Sequence, residues 1–268
     1  KRRGRLMSLK DVVRNTSALS DKDGSYPPVR VNIQGVDGIG KSTFGAQSDK
    51  PIFIQAEDGL KYIDAQAFDV ANEWNDIMSS LELLAKEDHD FKTIVIDTTD
   101  GASLLAEAHV CAKGGWPSIE TPGFGKGFTM VTELFVKLLG ALDFIVKTKG
   151  MNVILLSHVA TKMYADATAQ ESYERWEMRC HKKVNHLIKD WVDFNLFANH
   201  DVTVTKDGSK NRAVSYGNRA LHTKFAAGFD AKSRLDLPAK LPLEWNAFLD
   251  AYKTALNPVQ QTVVKGVK

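Results

Sequence analysis

The chain has 268 residues, enough to bury a substantial core as one large domain or two small ones. Hydrophobic residues make up 43 % and charged residues 25 %, and the formal net charge at pH 7 is +2. So near-neutral a balance demands neither a nucleic-acid nor a membrane partner, and any basic site must be local. No apolar run approaches the roughly 18 residues of a membrane span. The two cysteines, Cys111 and Cys180, lie far apart without metal-type spacing, as expected of incidental thiols in a reducing cytosol.

The opening run Lys1-Arg2-Arg3-Gly4-Arg5 is basic but lacks the apolar segment of a secretory signal. A nuclear-localisation or nucleic-acid patch is its functional alternative, and Met7 is a candidate natural start. Residues 1–28 read as an extension and lead-in, with a short helix followed by Ser, Asp, Gly and a proline pair.

From residue 29 to residue 256 the chain reads as one domain. Short β-branched runs at Val29–Ile33, Pro51–Gln55, Thr93–Ile96, Asn152–Ser157 and Val192–Ala198 are nearly continuous in apolar character, as strands buried on both faces should be. Between them Lys41–Ala46, Trp74–Lys86, Gly101–Ala112 and Phe128–Thr148 carry helical periodicity. That alternation predicts an α/β fold with a mainly parallel, twisted sheet flanked by helices. Val202–Lys206 and Asn211–Tyr216, joined through Asp207-Gly208-Ser209-Lys210, read as a β-hairpin extension. A last helix, Leu243–Leu256, precedes a tail over 257–268 that is expected to be flexible.

The sharpest motif is Gly35-Val36-Asp37-Gly38-Ile39-Gly40-Lys41-Ser42, followed by Thr43, at a predicted strand-to-helix junction. Glycines let such a loop curl so that successive N–H groups face phosphate oxygens, and the helix N-terminus adds its positive dipole end. Lys41 is expected on the β- and γ-phosphates of ATP, and the Ser42 hydroxyl on Mg²⁺.

Thr93-Ile94-Val95-Ile96-Asp97 is an apolar strand ending in a carboxylate suited to Mg²⁺ through its water shell, with Asp100 as a competing cap or carboxylate. The strand Pro51–Gln55 runs into Glu57 and Asp58, off the carboxyl end of the sheet where ligands bind. Glu57 is therefore the candidate base for an attacking water. A third strand ends at His158, where a polar side chain can bond the γ-phosphate.

In this order the pieces resemble the RecA-like P-loop ATPases, and among them the short phage recombination proteins of the Sak type, associated with single-strand annealing. GVDGIGKST resembles the family's phosphate loop, IFIQAEDG the strand with the catalytic glutamate, TIVIDTTD the metal-linked strand, and VILLSHV the sensor strand. His158 stands where many RecA-like proteins have glutamine. The resemblance implies a Mg²⁺-dependent ATPase in the cytoplasm of a bacterial host, without a membrane, working as a ring or filament of identical subunits on single-stranded DNA. A single-strand DNA-binding protein is a further implied partner. It also implies that Lys232 and Arg234 reach into a neighbour's active site, where cations offset transition-state charge.

Two DNA-contacting loops are implied as well. The first, from Gly114 to Gly127, offers Trp116 for base stacking and Lys126; the second, from Thr161 to about Lys183, offers Lys162, Arg175 and Arg179. Lys206, Lys210 and Arg212 make the hairpin basic, as phosphate contacts require. Two other classes stay open. A small-molecule kinase would need an arginine-rich lid, and none is evident between the third and fourth strands. A nucleotide-dependent assembly protein would need little turnover.

Overall fold

The computed structural model describes residues 26–166, 170–200, the strands 203–207 and 210–214, and residues 217–256. The expected lead-in helix and the tail over 257–268 lie outside these residues, as do the hairpin residues Gly208 and Ser209.

Among the described residues eighteen elements follow one another: β1 (Arg30–Gly35), α1 (Lys41–Ala46), β2 (Pro51–Gln55), β3 (Gln66–Ala67), α2 (Trp74–Lys86), β4 (Thr93–Asp97), α3 (Thr99–Gly114), α4 (Lys126–Lys149), β5 (Asn152–Tyr164), β6 (Tyr173–Met178), α5 (Lys182–Trp191), β7 (Phe194–His200), β8 (Thr203–Asp207), β9 (Lys210–Val214), β10 (Arg219–His222), β11 (Lys232–Ser233), β12 (Lys240–Pro242) and α6 (Trp245–Leu256). The sheet runs β12-β10-β7-β1-β5-β4-β2-β3, with β11 on β7 and β6 on β5. Its centre, from β7 to β3, is parallel, and the late strands β10, β11 and β12 are antiparallel. The predicted α/β architecture is borne out. The hairpin β8–β9 pairs as expected, up to Asp207 opposite Lys210, but the chain re-enters the sheet after it.

Strand alternation explains the layers. Ile52, Ile54, Ile94, Ile96, Val153 and Leu155 face one way and pack with residues of α2, α3, α4 and α5. Their neighbours Phe53, Val95, Ile154 and Leu156 face the other way and pack with Phe44 of α1 and with Trp245, Phe248 and Tyr252 of α6. With both faces covered, every central strand had to be apolar at consecutive positions. Here Phe44 meets Trp245 edge-on with ring centroids 5.7 Å apart.

The topology fixes where chemistry can occur. β5 is inserted between β1 and β4, and all run in the same direction. The residues that follow β1, β2 and β4, and His158 midway along β5, therefore meet at one end of the sheet.

Candidate nucleotide site

The phosphate loop hangs between β1 and α1. Gly38 and Gly40 adopt positive φ values of 70° and 107°, the left-handed region that favours glycine. Gly35 answers a different demand: a Cβ there would lie 2.5 Å from the Ala198 carbonyl oxygen of the adjoining β7. Lys41 is buried, and its Nζ donates to the carbonyls of Gly35 (3.2 Å) and Val36 (3.1 Å), so the ammonium lies across the start of the loop. Burial lowers its pKa, against the pull of Asp37, Asp100, Asp97 and Glu57. An incoming phosphate would supply the anion this desolvated cation lacks.

Ser42 donates to Asp97 Oδ2 at 2.6 Å. Asp97 is 3 % exposed. Burial raises its pKa, opposed by the Ser42 hydrogen bond and by Lys41. A buried carboxylate held against a hydroxyl is a hard-oxygen pair that fits Mg²⁺, and a cation there would offset the cost of burying the charge. Thr98, joined to Asp97 by a cis peptide bond, caps α3 by accepting from the Gly101 N–H. The capping role open to Asp100 thus falls to Thr98.

Asp100 faces β5 instead. Its Oδ1 accepts from the His158 backbone N–H and its Oδ2 from His158 Nδ1, both at 2.9 Å. Burial would raise the Asp100 pKa, but the hydrogen bonds from His158 outweigh it and hold the group below the usual carboxylate range. An ionised acceptor places the proton on Nδ1 and leaves Nε2 to face outward. Nε2 lies 3.4 Å from Asp37 Oδ1 and 3.8 Å from Glu57 Oε1. Asp100, by sequence alone a candidate cap or carboxylate, is the group that orients His158.

Glu57 is half-buried past the end of β2, and burial raises its pKa, countered first by His158. A carboxylate raised in this way is a stronger base than an ordinary glutamate. Glu57, Asp100 and His158 also place three potential ligand atoms within 4.8 Å of one another. Asp100 already spends both oxygens on His158, so it serves to orient the ring, and the Ser42–Asp97 pair is the better Mg²⁺ seat. Asp58 and Thr43 are exposed.

Several expectations for DNA contacts need correction. The segment from Thr161 is no loop: β5 continues to Tyr164 and returns as β6, paired from Val159 opposite Met178 to Tyr164 opposite Tyr173. Arg175 is 5 % exposed, packs against the rings of Tyr164 and Phe225, and meets Asp230 at 3.4 Å. It is a core cation, unavailable to a phosphate backbone. Trp116 folds back on the core, so close to Gly114 that a Cβ there would sit 2.4 Å from the indole. The open aromatic of that loop is Phe124, fully exposed with φ 50°.

Arg179 is exposed, and its Nη2 donates to Asp37 Oδ1 (3.1 Å) and Oδ2 (2.9 Å), inside the nucleotide site. Lys126 and Lys162 are exposed as expected. Lys206, Lys210 and Arg212 lie on β8 and β9, where only the backbone is described.

Lys232 and Arg234 do not reach this chain's own phosphate loop. β11 pairs with Phe194 and Asn195, at the far end of β7 from Ala198 beside Gly35. Lys232 Nζ donates to the Lys189 carbonyl at 2.6 Å, and Arg234 Nε approaches Asp193 at 3.5 Å. Both cysteines are free thiols; Cys180 is buried, which pushes its pKa up to about 12. No helix among the described residues is long and apolar enough to cross a membrane.

Comparison with known proteins agrees with this geometry. A family model described as an AAA domain matches residues 27–235. A curated relative, the SPbeta prophage-derived uncharacterized protein YorG of Bacillus subtilis (strain 168), is 27 % identical over 139 residues, covering 48 % of this chain. The match covers 41 % of the relative, so the chain spans less than half of that protein's length. The chain belongs to the AAA domain family of P-loop ATPases, whose members generally hydrolyse nucleotide.

Proposed function

Taking an AAA domain as the starting point, we propose that this chain hydrolyses ATP with Mg²⁺ and couples turnover to single-stranded DNA in phage recombination, by annealing or strand exchange. The observation that carries the coupling is β5. It brings His158 to within reach of Glu57 and Asp37 and then continues unbroken into the β5–β6 hairpin. A change at the γ-phosphate can therefore move a surface element through one rigid strand.

The chemistry follows from the side chains. Lys41 and the loop N–H groups bind the phosphates. Ser42 and Asp97 would hold Mg²⁺, which would supply charge neutralisation when bound. Glu57 takes a proton from the water that attacks the γ-phosphorus; the β–γ bridging P–O bond breaks and its oxygen leaves with ADP. His158, oriented by Asp100, turns Nε2 toward the phosphoryl oxygens and donates to them once that nitrogen also carries a proton.

Support for DNA is less direct: the resemblance to phage annealing ATPases, the prophage origin of the relative, and two neighbouring exposed segments. Phe128 stacks on His181 with centroids 4.3 Å apart and Lys183 Nζ bonds Thr129, which joins the Phe124 loop to the chain just beyond β6. Phe124, Lys126, Lys162 and Met163 are exposed there, a set suited to stacking and phosphate contact.

An assembly in which Arg234 completes a neighbour's site fits its half-exposed position at the opposite end of the sheet. The test is ATP hydrolysis with and without single-stranded DNA, wild type beside Lys41→Ala. Stimulation by DNA that disappears in the variant supports the whole reading. Turnover indifferent to DNA removes the DNA part, and no turnover in either condition favours a nucleotide-dependent assembly protein.

A further inference from the structure

Arg179 lies beside the phosphate loop by construction of the fold. Its backbone N–H donates to the His158 carbonyl at 3.0 Å, so the residue leaving β6 is tied to the residue that faces the nucleotide. From there its side chain reaches Asp37, which contacts His158 Nε2 as well. Asp37 is thus an acid in the phosphate loop itself, held by two groups from the β5–β6 side.

An acidic side chain here is awkward for a site that must accept a polyphosphate, since like charges repel at this distance. The Arg179–Asp37 pair is also weak by design of its setting: the side chains are 42 % and 64 % exposed, so water screens the attraction. One guanidinium nitrogen serves both carboxylate oxygens, and among the described residues nothing else accepts from the remaining donors of the fork. A γ-phosphate carries more charge than a carboxylate and accepts a guanidinium through two parallel bonds.

Resting on the reading of this site as an ATP site, we propose that Arg179 distinguishes ATP from ADP: Asp37 holds it beside the loop, and it passes to the γ-phosphate when ATP binds. Only a nucleotide with a γ-phosphate extends far enough to compete with Asp37 for it. The exchange changes what anchors the end of β6, so the base of the β5–β6 hairpin responds to the nucleotide state. Arg179 is in this view no DNA contact.

Equilibrium binding of fluorescently labelled ADP and a labelled non-hydrolysable ATP analogue, each with Mg²⁺, tests this on the full chain in a Glu57→Gln background. Arg179→Ala is expected to weaken the ATP analogue roughly tenfold or more while moving ADP less than about twofold. Arg179→Lys, which keeps the charge but not the fork, should fall between. Asp37→Asn removes the repelling charge and should retain or tighten binding of the ATP analogue. Equal losses for both nucleotides, or no loss for either, would overturn the proposal. So would a loss of DNA binding without nucleotide while ATP selectivity is kept. If the parent chain binds neither nucleotide, the reading of the site fails instead. Circular dichroism of each variant separates these outcomes from misfolding.

Discussion

The two ends of the parallel sheet use the same kinds of charge for different work. At the amino end, Asp193 is surrounded: Arg30 donates to it from its backbone, Nε and Nη2, at 3.1, 3.2 and 2.9 Å, and Arg234 approaches at 3.5 Å. Arg30 also pairs with Asp143 of α4 and lies over the Trp191 ring of α5. There each acid has a cation within reach, and the pairs tie helices to strands. At the carboxyl end, carboxylates gather with too few cations, and burial raises both Glu57 and Asp97. A saturated charge network stabilises; an unsaturated one is poised to receive a ligand.

Substitutions can break that contrast. The largest effect is expected for Glu57→Gln, which removes the proton acceptor. ATP turnover should fall about 10²–10⁴-fold with nucleotide binding kept, as read by steady-state hydrolysis beside equilibrium binding. If turnover survives, Glu57 is not the base. At the other end Asp193→Ala should leave the Arg30 guanidinium half-buried with fewer acceptors. It should cost roughly 1–3 kcal/mol in denaturant unfolding, discounted for partial exposure, while nucleotide binding per folded molecule stays close to wild type.

The pH dependence sharpens the comparison further. A base must be deprotonated to act, so turnover should fall as pH drops through the Glu57 pKa. Burial raises that pKa, so the acid limb should lie above the range of an ordinary glutamate. An acid limb at or below that range would show that burial does not tune this base. The smallest effect is expected for Lys50→Ala, which opens the exposed Lys50–Asp90 pair and should leave the melting temperature unchanged within error.

Elements with a strong internal pattern were legible in the sequence. β2, α1 and α2 begin and end where periodicity places them, because each buries an uninterrupted face. β5 was cut short at Ser157. Beyond that point exposed Thr161, Lys162 and Met163 hide the strand, which exists only because β6 pairs with it. The late strands β10, β11 and β12 were missed for a similar reason: each has four residues or fewer and gains its hydrogen bonds from the sheet, so no period can form. The last helix starts at Trp245 rather than Leu243, since Lys240–Pro242 is taken up as β12.

Within the site, the sequence by itself determined what depends on local backbone chemistry: a glycine-rich loop before a helix, a lysine and a serine at its end, and acids at the ends of apolar strands. It could name Lys41, Ser42, Asp97, Glu57 and His158 because each sits at a fixed distance from a strand end. Only the tertiary structure decided that Asp100 holds His158 and that Arg179 meets Asp37, partners 58 and 142 residues apart. It also decided that Arg175 is walled in by Tyr164, Phe225 and Asp230. A charged side chain carries no sign of its partner in its own neighbourhood of the chain. Burial and pairing are set where distant segments meet, and there the roles of otherwise identical arginines separate.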